Sequence, residues 1–429
     1  MNYILGSYLK NDIFLKALVS IGVIFNYMAF YYNGRDINKY HIVFNIFMLA
    51  VSMVYAYLGK LSITRREIHL FLLLWLPISC LILIQFLYLH DVTLIKTDII
   101  IFMNVLIAFT INKVIGFLTY ARLLRWMMLF NLLFIIFAVF AGKIMLDPAL
   151  TNPYGTNLFL SVFGIEMEIS PGSWGYETVR VGGLFGHPNF YGVISMIAMI
   201  GLSFSSATLK TKVLWWIVYC GTFIVSESRS SILFLFVFYI LSRILSKRTL
   251  KGVLLNAAIL ILFSMISFFL AGLRDNSVDA DITSGRAGLM EIVWSSIMTN
   301  PDIFQLFGVG IGQGKTFLLR DVGLLLPIDN AYFLTAIEYG LLGGTLFFLV
   351  WILTWHYVGK HSNVPYFIWI PFLIGILLYG FFEATLSMDM YSRSIHWIIF
   401  LFFMLTYKKN DTINVKKDKE RLIYFIEGK

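Results

Sequence analysis

The chain alternates long apolar stretches with short polar connections. About twelve apolar runs lie near 13–32, 40–59, 68–89, 94–111, 123–141, 188–206, 211–226, 230–246, 251–272, 331–353, 365–382 and 394–407. Runs of roughly 17–25 apolar residues are long enough to cross about 30 Å of hydrocarbon as helices, whose backbone groups bond one another and need no water. The pattern predicts an all-α polytopic protein with about 12 spans, a single integral membrane domain over 1–429, and no separate soluble domain or internal repeat.

Composition agrees. Hydrophobic residues make up 59% and charged residues 13% of the 429 positions, where a soluble domain carries about 25% charged residues; mean hydropathy is +0.81. Basic residues are retained on the cytoplasmic side of short loops. Alternate connections hold Lys60, Arg65 and Arg66, then Lys113, Arg122 and Arg125, then Lys210 and Lys212, then Arg243, Lys247, Arg248 and Lys251, then Lys360, with only Glu67 opposing them. The tail over 408–429 is also basic, so both termini are expected in the cytoplasm and the span number even. One of the opposite connections gathers Asp275, Asp279, Asp281, Glu291, Asp302, Asp321 and Asp329. The net charge of +9 is therefore a topology signal rather than a nucleic-acid footprint. The first apolar run lacks a small-residue cleavage pattern and is expected to stay as an anchor. Cys80 and Cys220 fall within spans, and the histidines form no H-E-x-x-H pattern, so neither a disulfide framework nor a protein-held metal is expected.

Two extracytoplasmic connections, 142–187 and 273–330, are far longer than the rest, and loops of that length are usually functional or disordered. Trp174, Tyr176, Phe185, Trp294, Phe304 and Phe307 among turn formers predict order. Within the second loop, Leu289, Val293 and Ile297 share one stripe of a short amphipathic helix beginning at Arg286, suited to the membrane interface or to packing under the loop.

Candidate chemistry sits around these loops. Arg180, Arg229 and Arg286 are expected on one side of the bilayer beside apolar helices, where a guanidinium costs roughly 2.5–3.5 kcal/mol at a helix centre unless partnered or hydrated. Three on one side suit a multiply charged anion such as a lipid diphosphate. In the segment Arg180 to Gly192, His187-Pro188-Asn189 reads as a helix start with Pro188 in the first turn; it is either a plain cap or a source of free N–H groups for phosphate. Ser226-Glu227-Ser228-Arg229 is a tight polar turn in which Glu227 and Arg229 either neutralise each other or face the long loops. Gly308-Val309-Gly310-Ile311-Gly312-Gln313-Gly314-Lys315-Thr316 fails the phosphate-loop pattern, since Val309 stands where glycine is required. It remains a segment allowing close backbone approach, to a sugar or phosphate, with Lys315 and Arg320 adding charge. Asp329 and Asn330 open the tenth span as a cap or as site residues, followed by Tyr332, and Glu338 is a carboxyl about two turns into a span. Gly340 to Gly344 reads as close helix packing.

In order and spacing, RVGGLFGHPNFYG, SESRSS, SGRAGLMEIVW with NPDIFQLFGVGIGQG, and DNAYFLTAIEYGLLGG, over roughly 180–344, resemble the O-antigen ligase and polymerase superfamily of bacterial surface-polysaccharide assembly. The resemblance implies a metal-independent integral membrane glycosyltransferase with a GT-C-like fold and no cofactor. It implies a Wzy-type role in lipopolysaccharide, capsule or exopolysaccharide synthesis at the bacterial inner membrane, with the active site on the periplasmic face. Undecaprenyl-diphosphate-linked oligosaccharide would be donor and acceptor, with a chain-length regulator and a flippase as further partners. Arg180, Arg229 and Arg286 would hold the diphosphate, and His187, Asn189, Glu227, Lys315, Arg320, Asn330, Tyr332 and Glu338 would line the substrate site. Ligases of the superfamily carry His-Asn where this chain has Asp329-Asn330, a departure that favours a polymerase over a ligase moving glycan to lipid A core. Asp329 is the first candidate for general base, ahead of Glu227, His187 and Glu338. A lipid-linked oligosaccharide flippase is the competing class, but it would scatter ionisable groups through the spans.

Overall fold

Eleven of the apolar runs coincide with helices among the residues described by the computed structural model: 12–28, 31–32, 35–36, 41–57, 63–146, 158–172, 175–205, 207–226, 228–246, 291, 294–295, 298–299, 302–314, 316–317, 330–380 and 391–407. The helices are α1 (Asp12–Tyr27), α2 (His41–Tyr57), α3 (Arg65–Leu89), α4 (Thr93–Val114), α5 (Gly116–Ala141), α6 (Pro188–Ser203), α7 (Leu209–Ser226), α8 (Arg229–Leu245), the short α9 (Asp302–Phe307), α10 (Ala331–His361), α11 (Tyr366–Tyr379) and α12 (Tyr391–Thr406). Four of them, α3, α4, α5 and α10, are long and apolar enough to cross a membrane, and α1, α6, α8, α11 and α12 hold shorter apolar helices, as in a multi-pass membrane protein. The run at 251–272 lies outside the described residues.

The all-α expectation is corrected by a β-sheet. Strands β1 (Tyr31–Tyr32), β2 (Arg35–Asp36), β3 (Lys143–Leu146), β4 (Leu158–Val162), β5 (Ile165–Gly172) and β6 (Gly175–Val181) pair antiparallel, in the order β2-β1-β5-β4-β3 with β6 also on β5. The first long loop thus folds largely as strands, joined by residues from the α1–α2 connection through Tyr31 opposite Glu166. The cause is legible in Ile165-Glu166-Met167-Glu168-Ile169, whose period of two puts alternate residues on one face. Met167 and Ile169 are buried with Leu160, Val162 and Ala138, so the sheet lies on the end of α5. Phe163 and Gly164 both have positive φ, at 52° and 75°, the requirement of the tight hairpin turn whose twist matches its strands.

Hydrogen bonds and an ion pair mark two ends of the bundle. At the sheet end, Arg180 of β6 meets Ser226 at the end of α7, Gln313 donates to Thr93 at the start of α4, and the Ala331 amide donates to Gly380 after α11. At the far end, Lys113 pairs with Glu67 at 2.6 Å, Asn112 donates to Thr406, Asn363 donates to the Tyr407 carbonyl, and Tyr366 donates to the Leu245 carbonyl. Arg122 and Arg125, expected in a connection, both lie on α5, which begins at Gly116, and Arg125 is buried there.

Candidate active site

The Arg180 site is assembled from three elements at the sheet end. Asn131, buried on α5, holds the chain leaving β6: its amide nitrogen donates to the Gly182 carbonyl at 3.1 Å and its oxygen accepts from the Leu184 amide at 2.7 Å. Gly183 has φ +62°, and a Cβ there would fall 2.3 Å from the Asn131 oxygen, so only glycine fits the turn. The chain then enters α6 as its sequence predicts. His187 is the N-cap, its Nδ1 accepting from the Asn189 amide at 3.2 Å, and Pro188 follows in the first turn. That bond engages the ring nitrogen which a base role for His187 would use.

Arg180 is gripped from both sides. Its Nε donates to the Ser226 carbonyl at 3.0 Å and its Nη2 donates to Oδ1 of the buried Asn189. The 226–231 turn presses onto α6, since a Cβ on Gly192 would fall 2.2 Å from Ser228 Oγ. Two segments distant in sequence, Arg180 to Gly192 and Ser226 to Ser231, therefore form one site with Arg180 between them, and α8 starts beside it at Arg229. The buried hydroxyls of Ser226 and Ser228 have no hydrogen-bond partner among the described residues. This is a cation with adjacent free donors, the chemistry that binds phosphate oxygens. The side chain of Arg229, and Glu227, Arg286, Lys315, Arg320 and Asp329 entirely, lie outside the described residues. Positions 291, 294, 295 and 298 of the expected amphipathic helix are helical.

Asn330 is connected to this region through packed helices. It is the N-cap of α10, its side-chain oxygen accepting from the amides of Tyr332 and Phe333. Tyr332 donates to the Leu377 carbonyl of α11 at 2.6 Å. Helix α11 runs antiparallel to α8, with Phe234 against Phe372 and Tyr379, so the start of α10 and the start of α8 lie at the same end. Asn330 thus caps α10, and Tyr332 docks it on α11.

The glycine-rich segment does something that its sequence did not disclose. Helix α10 is broken at Gly340, with φ 69° and ψ −177°, a conformation that is essentially restricted to glycine. The Ile337 and Glu338 carbonyls accept instead from the amides of Val309 and Gly310, at 2.9 and 3.2 Å. Approach is so close that a Cβ on Gly340 would fall 2.5 Å from the Gly308 nitrogen, and one on Gly308 would fall 2.4 Å from the Ile337 oxygen. Gln85 of α3, 2% exposed, locks the joint: its amide donates to the Phe307 and Glu338 carbonyls at 2.6 and 2.7 Å, and its oxygen accepts from the Ile311 amide at 3.1 Å. Glu338, also buried, accepts from the Gly314 amide at 3.2 Å. The close backbone approach expected of this segment is to a broken helix of the protein itself, and Glu338 serves that joint. Asn131 and Gln85 escaped the sequence reading; the available signal was a lone amide in an otherwise apolar span, the usual helix-linking group within membranes.

No curated protein and no solved structure matches the chain. A family model does, over a stretch that takes in the 226–231 turn, Arg286, the glycine-rich segment and the start of α10, and that begins after Arg180. Residues 213–348 match the family described as O-Antigen ligase, which makes the chain similar to the O-antigen ligase and polymerase superfamily.

Proposed function

We propose that the protein is a bacterial surface-polysaccharide polymerase that transfers a growing glycan from undecaprenyl diphosphate onto the next lipid-linked repeat unit. The observation that carries this reading is Arg180, held between Asn189 and Ser226 at the start of α8, beside two buried serine hydroxyls, with the adjoining turn inside the matched family segment. The acceptor hydroxyl attacks the anomeric carbon, the bond from that carbon to the diphosphate oxygen breaks, and undecaprenyl diphosphate leaves with the electron pair. Negative charge grows on phosphate oxygens, where preorganised guanidinium groups lower the barrier. Arg180 is already oriented by Ser226 and Asn189 and faces the leaving group, and Arg229 and Arg286 complete the clamp without a divalent metal. Asp329 accepts the hydroxyl proton. The Asp329-Asn330 pair, in place of the His-Asn of ligases, favours polymerisation over transfer to lipid A core.

The same reading places twelve spans in the inner membrane, both termini in the cytoplasm and the sheet end in the periplasm. Cysteines introduced at Ser173 and Ser277 are then expected to react with an impermeant thiol reagent in intact cells, and one at Thr249 is not. The functional test is deletion followed by inspection of surface polysaccharide. A polymerase leaves a single repeat on its acceptor, a ligase leaves the core bare, and a flippase strands substrate in the cytoplasm. With purified protein and a lipid-linked repeat unit, Arg180→Ala is expected to abolish chain growth and Arg180→Lys to restore little of it, because an ammonium lacks the planar fork. Full activity of Arg180→Ala removes that residue from the site.

A further inference from the structure

A second cation lies inside the bundle, away from Arg180 and closer to the far end. Arg125 of α5 is 6% exposed. A guanidinium has five N–H donors, yet Arg125 makes one hydrogen bond, to the Ala198 carbonyl at 3.3 Å, and lies 6.0 Å from the Trp215 ring centre. Ala198 is in mid α6, so its carbonyl also belongs to the helix ladder. Among the described residues no carboxylate pairs with Arg125. A charge covered this far and left unpaired is costly in a membrane setting, and that cost is relieved if an anion fills the remaining donor positions.

The surroundings indicate which anion. Trp126, the next residue, is 58% exposed and meets Trp215 edge-on at 5.5 Å, so Arg125 adjoins the outer surface of the bundle at a tryptophan pair, the signature of headgroup depth. Arg122 is one turn away on α5 and exposed. Tyr239 of α8 lies within electrostatic reach of both Arg125 and Arg243. Its hydroxyl is already committed, donating to the Met199 carbonyl and accepting from Ser203, so it does not compete for the guanidinium. We propose that Arg125 is the centre of a binding site for the phosphate of an anionic phospholipid, with Trp126 and Trp215 at its mouth and Arg122 as the outer charge. This site is separate from the Arg180 site and does not depend on which reaction that site performs.

The probes are vesicles of phosphatidylcholine, the same vesicles with phosphatidylglycerol added, and inorganic phosphate supplied at millimolar concentration to the first. Wild-type protein reconstituted with phosphatidylglycerol is expected to unfold at a higher temperature than in phosphatidylcholine alone, and native mass spectrometry is expected to show a retained anionic lipid. Arg125→Gln is expected to weaken that retention by about tenfold or more, the loss of one charge-assisted hydrogen-bond set, and Arg125→Lys to keep part of it. If Arg125→Gln fails to fold, Arg122→Gln on the exposed surface is expected to weaken retention less and in a salt-dependent way. Equal stability in both vesicles, or unchanged retention in Arg125→Gln, overturns the proposal. Full stabilisation by inorganic phosphate overturns the lipid assignment and makes this a free-anion site.

Discussion

Gln85 is the most exacting test of the joint between the glycine-rich segment and α10. Gln85→Leu keeps the bulk and removes three hydrogen bonds, to Phe307, Glu338 and Ile311. The Glu338 carbonyl still accepts from Gly310, so the bonds to Phe307 and Ile311 are the ones with no substitute among the described residues. Neutral hydrogen bonds contribute about 0.5–1.5 kcal/mol each, while interhelical bonds in membranes average about 0.6; three of them give an expected loss of about 2–4 kcal/mol. Gln85→Glu separates chemistry from packing. Its carboxylate still accepts from Ile311 but turns lone pairs towards two carbonyls, so it is expected to be at least as damaging as leucine. Gln313→Ala, which loses an exposed bond to Thr93, is the control and is expected to cost under about 1 kcal/mol. Thermal unfolding of the purified protein in detergent, followed by tryptophan fluorescence, reads all three. Proteolysis within 308–314 is expected to quicken only in the two Gln85 variants. A Gln85→Leu protein indistinguishable from wild type in both assays would show that the joint is held by the glycine backbone alone.

Three further outcomes follow from the same geometry. Gly340→Ala is expected to destabilise by at least the ~1–3 kcal/mol of a strained backbone, whereas Gly344→Ala, whose added methyl meets Thr335 at an ordinary 3.7 Å, is expected to be tolerated; similar melting temperatures for the two would refute the break at Gly340. Asn330→Ala is expected to lose about 1 kcal/mol with the cap while Asn330→Asp keeps it, measured by the same unfolding assay. Lys113→Met leaves the buried Glu67 carboxylate without its 2.6 Å partner and is expected to cost about 3–5 kcal/mol; adding Glu67→Gln is expected to recover most of it, and a double variant no better than the single contradicts the pairing.

What was legible in the sequence follows from the range of the interactions. Helices written as long apolar runs depend on local composition, and their starts depend on capping within three residues, so His187-Pro188 and Asn330 could be read directly. The sheet was also written locally, in the alternation from Ile165 to Ile169 and the Phe163-Gly164 turn, but a search at helical period and membrane length passes over a strand of eight residues. Arg180 could be singled out as a cation near a helix start, whereas its partners could not. Ser226 is 46 positions away and reaches it only because β6, α6 and α7 converge. Gln85 is further still, more than 220 positions from its partners in the joint, and nothing near Gln85 in the sequence points to them. Arg125 was assigned to a connection, but α4 ends at Val114 and α5 begins at Gly116, so the turn between them is short and Arg125 lies inside α5.

The glycine motifs change meaning once these distances are known. In the sequence, 308–314 and 338–344 are two candidate sites, one for a phosphate and one for a carboxyl in mid span. In the structure each explains the other. A helix broken at Gly340 exposes two carbonyls inside the bundle, where an unmet acceptor is costly, and a segment with glycine at 308 and 310 can bring its amides close enough to meet them. Neither motif functions without the other, and both fall inside the matched family segment. The joint therefore accounts for their glycines without a ligand. Arg180 takes no part in that joint: it is held by Ser226 and Asn189 beside the buried hydroxyls of Ser226 and Ser228.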